Sequence, residues 1–240
     1  MKDNLGNRMK RNYEDRQRFF LTRRVPVIMR LDGRAFHTLT RHGDTPFDQD
    51  FIDAMVRTML VLFRAVQGAK VAYHQSDEMT LLITDFDTLE TEAWFDYEVS
   101  KMTSIAAGIA SAFFNLSFKK FAHFSDVPFP VFDCRVHNIP KEDAVNNFVW
   151  RAKDWKRNSL SMYARSFFSH KELHRKSQSA MHEMLYKIGK NWATDLTPQI
   201  KNGTFLIKTD SGIEKRYDIL PTFEHVDLIV SPFLYNHLSS

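Results

Sequence analysis

The sequence predicts an α+β protein: a ferredoxin-like β-α-β-β-α-β unit followed by a helical and β-hairpin extension. Three observations predict it. Short apolar runs (25–31, 70–74, 79–84 and 131–137) alternate with two long helical patterns in the order strand, helix, strand, strand, helix, strand. The middle two runs are separated only by Gln75-Ser76-Asp77-Glu78, a hairpin spacing. From residue 142 onward helical periodicity takes over until a last hairpin signal near Asp210-Ser211-Gly212.

In chain order, residues 3–20 read as a short helix with Leu5, Met9 and Tyr13, and less regularly Phe19 and Phe20, on its apolar side. The run Val25–Leu31, β-branched at its start, reads as a buried strand that stops at Asp32. Gly33 then lets the chain turn sharply and brings its carbonyl close to a ligand. Phe51, Met55, Met59, Leu62 and Val66 recur at steps of three and four and mark a helix, with Asp48 as N-cap and Gly68 as its stop. The hairpin 70–84 follows. A second helix spans about Glu92–Phe121, and Ala106, Ala107, Gly108, Ala110 and Ala112 thin it for close approach to a sheet. Beyond the strand 131–137, Glu142–Ser169 and Lys171–Ile188 read as helices and Gly203–Tyr217 as a hairpin; the apolar tail after Pro221 has no assignment. Two regions result: residues 1–140 as catalytic unit, and 141–240 as a helical and hairpin extension packed on it.

The 240 residues, 43% hydrophobic, suffice for a full core. No run of 18 apolar residues implies a membrane span, and the N-terminus has no apolar signal core, so a cytoplasmic setting is expected. The single cysteine, Cys134, excludes an internal disulfide and a cysteine zinc cage, and its apolar setting makes it a small strand residue. No Gly-rich phosphate loop, His-Glu-x-x-His or nucleophile elbow is present. Net charge is only +4, but two basic groups stand out: Arg8 to Arg24, and Arg151 to Lys176. Flanking an acidic site, they point to a polyphosphate or RNA partner, with Lys153, Lys156, Arg157, Asn158, Arg175 and Lys176 as the candidate RNA contacts.

The chemistry centres on two acidic turns. In the ferredoxin-like unit the first and third strands are central neighbours. The end of the first strand (Asp32) and the turn between the second and third (Asp77, Glu78) then fall at one edge. Two carboxylates and the Gly33 carbonyl are oxygen ligands suited to magnesium, leaving positions open for a triphosphate. Arg30 and Arg34 flank Asp32 and can hold phosphate oxygens.

Arg30-Leu31-Asp32-Gly33-Arg34-Ala35-Phe36-His37 resembles the Arg-Leu-Asp-Gly-Arg-x-Phe-His motif of tRNA-His guanylyltransferases and their relatives. Ser76-Asp77-Glu78 resembles that family's second acidic motif, Ser100-Lys101 its Ser-Lys pair, and Asn4-Leu5-Gly6, Met9-Lys10 and Tyr13-Glu14 its N-terminal segment. Eukaryotic members carry His-Ile-Asn-Asn-Gln-Tyr-Asn after Trp-Arg; here Trp150-Arg151 leads to Lys156-Arg157-Asn158-Ser159-Leu160-Ser161-Met162, which resembles the guanylyltransferase-like branch. The resemblance implies a polymerase-palm-like fold and template-dependent 3′-to-5′ addition of nucleotides to the 5′ end of tRNA, as in guanylylation or 5′-end repair. It implies ATP activation of the 5′-phosphate, GTP or another nucleoside triphosphate as donor, two magnesium ions on Asp32, Gly33 and Asp77, and assistance from Glu78. It further implies nucleotide contacts from Arg30, Arg34, Ala35, Phe36, His37, Ser76 and Lys101, and a homotetramer. Two other functions fit the residues alone: a two-metal nucleotide cyclase on the same fold, and a non-catalytic tRNA-binding module.

Overall fold

The computed structural model describes residues 4–41, 43–44, 46–120 and 129–217. The tail after Pro221 and the expected helix end at Phe121 lie outside the described residues.

The chain opens with α1 (Leu5–Met9), which widens into a π turn over Lys10–Glu14 and tightens into a 3₁₀ turn over Asp15–Gln17. The expected apolar side of this segment lies in the open: Leu5 is 61% exposed and Tyr13 62%. Next come β1 (Val27–Gly33), a short helix α2 (Phe36–Thr40) that the sequence reading missed, and α3 (Gln49–Ala65). Asp48 caps α3 as expected, its carboxylate accepting from the Phe51 N–H. The helix ends at Val66, two residues before the left-handed Gly68.

The hairpin is β2 (Ala69–Gln75) and β3 (Glu78–Ile83). The second long helix, α4 (Val99–Ser117), is shorter than expected at its start. Phe95, Asp96 and Tyr97 have positive φ and Glu98 is extended, pairing with Phe20, so α-helical geometry cannot run back to Glu92. Of its small residues, Ala106 and Ala110 are buried while Gly108 and Ala112 are exposed. Strand β4 (Phe132–Asn138) precedes α5 (Lys141–Arg165), α6 (His170–Leu173) and α7 (Gln178–Lys187). The helix expected over Lys171–Ile188 is thus broken: Arg175 is left-handed and the Ser177 hydroxyl starts a new helix by accepting from the Ala180 N–H. Two further short helices, α8 (Trp192–Asp195) and α9 (Pro198–Asn202), lead into the final hairpin β5 (Thr204–Thr209) and β6 (Gly212–Arg216).

All strands pair antiparallel in one sheet, in the order β4-β1-β3-β2-β5-β6. The first four are the ferredoxin-like unit, and the last hairpin extends it by pairing β5 with β2. Because strand side chains alternate, the sheet has two apolar faces. Val27, Met29, Leu31, Ala72, Leu81 and Ile83 pack with α3 and α4. Ile28, Val71, Tyr73, Leu82, Phe205 and Ile207 pack against Phe148, Val149 and Ala152 of α5. A third, smaller cluster joins Leu160 and Tyr163 of α5 to Leu185 of α7 and Trp192 of α8.

Candidate nucleotide-transfer site

Register builds the site. In the antiparallel ladder Asp32 stands opposite Glu78 on one side and Asp133 on the other, so all three acids share one face and one end of the sheet. The β2–β3 turn closes over that end: the Gly33 N–H donates to the Asp77 carbonyl at 3.0 Å, and Ser76 takes a left-handed φ of 51° to make the turn. Burial pushes the Asp77 carboxyl above the ordinary aspartate value, and the neighbouring Asp32 charge pushes it further. Two acids repelling each other in a part-buried turn are a donor set that a divalent cation relieves. Among the described residues no group of three or more His, Cys, Asp or Glu side chains forms a metal cage. Magnesium, which takes one or two carboxylates and fills its shell with water and phosphate, fits such a sparse set.

Gly33 differs from expectation. Its φ is not positive; the left-handed residue is Ala35, with φ 56° and ψ 30°. Glycine is required at 33 for space, since a Cβ there would sit 2.5 Å from the Phe36 ring. That ring is 2% exposed and packs on Phe132 at 5.0 Å, Phe114 at 5.2 Å and Phe51 at 6.0 Å. Phe36 thus holds the turn from below and leaves Arg34 and His37 exposed.

Arginines organise the acids. Arg30 reaches Asp32 at 3.2 Å and Glu78 at 3.3 Å. Arg151, from the middle of α5, grips Glu78 with two nitrogens, one of them Nε at 2.6 Å. Glu78 is 4% exposed, so this buried pair fastens α5 to the sheet and engages both oxygens of Glu78. The sequence reading placed Arg151 in the second basic group rather than at the acids, and did not single out Asp133. The polar alternation Asp133, Arg135, His137 in β4 was the signal for Asp133; for Arg151 no local signal points to the Glu78 pairing.

Beside the acids lies a cavity of about 350 Å³. His37 and Ser76 line it together with Phe47, Phe51, Ile52 and Trp155. Lys101 is not brought here. It lies 3.5 Å from Glu98, which also holds Arg18 at 2.7 Å, at the start of α4. Phe114, which touches Phe36, is 13 residues further along that helix, roughly 20 Å at 1.5 Å per residue. The RNA candidates fall in two places. Lys153 and Arg157 line a concavity with the exposed Trp150, Arg157 being ion-paired with Asp154; Arg175 and Lys176 lie at the α6–α7 break. Lys156 stands over the Trp192 ring and Asn158 is exposed. Burial pushes the Cys134 thiol up to about 12, which agrees with its reading as a strand residue.

A palm-like sheet with acids at the end of its first strand and in its β2–β3 turn, beside a cavity of this size, defines a nucleotidyltransferase class. Residues 6–140 match the family profile described as tRNAHis guanylyltransferase. A bacterial tRNA(His) guanylyltransferase-like protein in complex with ATP superimposes with a TM-score of 0.87 at 36% identity, covering 97% of this chain and 100% of that one. A bacterial relative in complex with GTP gives 0.80 at 34% identity over 97% and 100%. The tRNA(His) guanylyltransferase of Saccharomyces cerevisiae, 18% identical, shares the fold with a TM-score of 0.70 over 90% and 97%. A probable tRNA(His) guanylyltransferase of Dictyostelium discoideum is 23% identical over 89% of both chains. An uncharacterized protein of Acanthamoeba polyphaga mimivirus is 31% identical over 68% of this chain, a match spanning 63% of that protein. The chain belongs to the tRNAHis guanylyltransferase family.

Proposed function

We propose that this protein adds nucleotides to the 5′ end of tRNA in the 3′-to-5′ direction, against a template, with ATP activating the 5′-phosphate and GTP among the donors. The observation that carries the reading is the meeting of Asp32 and Asp77 at one sheet end beside a cavity lined by His37 and Ser76. Similarity to relatives bound to ATP and to GTP supports both nucleotides as substrates.

Asp32, the Gly33 carbonyl and Asp77 would hold two magnesium ions, which when bound supply charge stabilisation for the triphosphate and for the attacking hydroxyl. The protein's own residues do the rest. Phe47, Phe51 and Trp155 give the cavity apolar walls that suit a base, while His37 and Ser76 offer polar contacts. Arg30 orients Asp32 and, with Arg151, restrains Glu78. We assign Glu78 the task of aligning these arginines under the site. Arg34, exposed beside the turn, would hold phosphate oxygens. In this division residues 1–140 carry the chemistry and 141–240 hold RNA, through Lys153, Lys156, Arg157, Asn158, Arg175 and Lys176. A homo-oligomer, a tetramer by family likeness, and a cytoplasmic location complete the proposal; no described helix is long and apolar enough to cross a membrane.

The test is 5′-extension of labelled, 5′-truncated tRNA with ATP, all four nucleoside triphosphates and magnesium. Wild type should lengthen the 5′ end. Asp32→Ala and Asp77→Ala should each lose at least about 100-fold in rate, a loss on the order removal of a charge-stabilising group causes, while tRNA affinity stays within about two-fold. Cyclic product from ATP or GTP without RNA would instead mark a cyclase, and no extension by folded wild type would defeat the reading.

A further inference from the structure

We propose that the concavity between the end of α5 and the α6–α7 break is a phosphate-binding site that holds one backbone phosphate of the RNA, away from the reacting end. The inference rests on the RNA substrate proposed above and adds a discrete subsite to it. The cavity is about 220 Å³, and Arg165, His170, His174, Arg175, Lys176 and Ser161 line it. No carboxylate lines it, and among the described residues no ion pair engages Arg165, Arg175 or Lys176. The acid nearest in sequence, Glu172, is already engaged. Its carboxylate accepts from the Ser169 N–H at 2.8 Å and from the Ser169 hydroxyl at 2.6 Å in a capping box.

Two arginines earlier on α5 are neutralised, Arg151 by Glu78 and Asp154 and Arg157 by Asp154. Converging unneutralised cations repel one another, so their collection around a hollow has a cost that an anion removes. The backbone carries a second cost at the same place. Arg175, at the break between α6 and α7, is left-handed with φ 58°. Two guanidinium forks, an ammonium and two imidazoles provide many donors and suit a phosphate better than a carboxylate. The volume leaves room for the anion and a few waters, each needing about 30 Å³.

Position along α5 argues for the RNA backbone. Trp155 and Met162 line the nucleotide cavity, and Ser161 and Arg165 line this one. From Trp155 to Arg165 the helix rises roughly 15 Å at 1.5 Å per residue. One helix therefore lines a base-sized cavity and a phosphate-sized one, with Met162 on the first and Ser161 on the second.

Two measurements on the full chain test this. The first titrates inorganic phosphate and follows the ring NMR signals of His170 and His174. Both should shift saturably, and the shift should vanish in Arg165→Ala/Arg175→Asn; asparagine is chosen because it tolerates left-handed geometry. The second measures tRNA affinity against salt. The double variant should bind roughly ten-fold more weakly and lose about 0.7–0.9 from the slope of log K on log salt, the share of one phosphate. Lys187→Ala, outside the cavity, should leave slope and affinity unchanged. Wild type that binds tRNA with the same slope as the double variant overturns the subsite and leaves the RNA reading standing. Wild type that binds no tRNA overturns both. Silent His170 and His174 signals under phosphate, or an equal loss in Lys187→Ala, also overturn the subsite.

Discussion

Burial and the nearby Asp32 carboxylate both oppose charge on the Asp77 carboxyl and raise its pKa above the ordinary aspartate value. The sign of the consequence follows from linkage. A carboxyl whose folded pKa lies above its unfolded value weakens the fold as pH rises from the unfolded value through the folded one. Asp77→Asn, measured without magnesium, should therefore raise Tm at neutral pH while abolishing 5′-extension. A fall in Tm would mean that Asp77 is held by favourable contacts rather than strained for function. Gly33 makes a steric argument. With the Phe36 ring 2.5 Å from where a Cβ would be, Gly33→Ala must displace that ring from Phe132 and Phe114. Overpacking of this kind costs about 1–3 kcal/mol, and a chemical-denaturation curve would read it directly.

At the scale of elements, α5 and α3 each depend on a buried polar device. Arg151 ties α5 to β3 through Glu78 with both groups buried. Arg151→Ala leaves the buried Glu78 carboxylate with Arg30 as its one remaining ion-pair partner among the described residues and should cost about 3 kcal/mol, the low end for breaking a buried pair. Arg151→Met with Glu78→Gln should recover most of it; a double variant as unstable as the single one would show that the loss comes from packing instead. The N-terminus of α3 depends on Asp48. Burial works to raise its pKa, but Lys120 and the Phe51 and Asp44 N–H groups outweigh that and hold it below the ordinary value. Its stabilisation is present above the unfolded carboxylate range and is lost as pH falls through the lowered folded value. Asp48→Ala should cost about 1–2 kcal/mol at neutral pH, the usual worth of an N-cap, and the difference from wild type should shrink in acid.

The whole molecule divides its basic residues by use. In the N-terminal group, Arg18 pairs with Glu98, Arg23 with Asp85 and Asp96, and Arg24 donates to the Thr88 and Leu89 carbonyls. These arginines fasten the entry of the chain to the β3–α4 connection, a structural task that composition alone cannot separate from RNA binding. The group on α5 to α7 is less consumed, and there charge should act on RNA. Reversing charge at Arg157 and Lys176 should weaken tRNA binding and flatten its salt dependence. A slope equal to wild type would remove these residues from the interface.

The sequence by itself determined the succession of strands, the sheet unit, the two acidic turns and the expectation that they meet at one edge. Those features rest on local periodicity and on a topology with few ways to close, so they are readable along the chain. It also contained the motif that places the chain in its family. Only the tertiary structure decided what surrounds the acids: Arg151 locked on Glu78, Asp133 opposite Asp32, Phe36 filling the space that a Cβ at 33 would need, and Lys101 at the far end of α4. These depend on which distant segments share one end of the sheet, and an ion pair 73 positions apart leaves no periodic trace in a sequence.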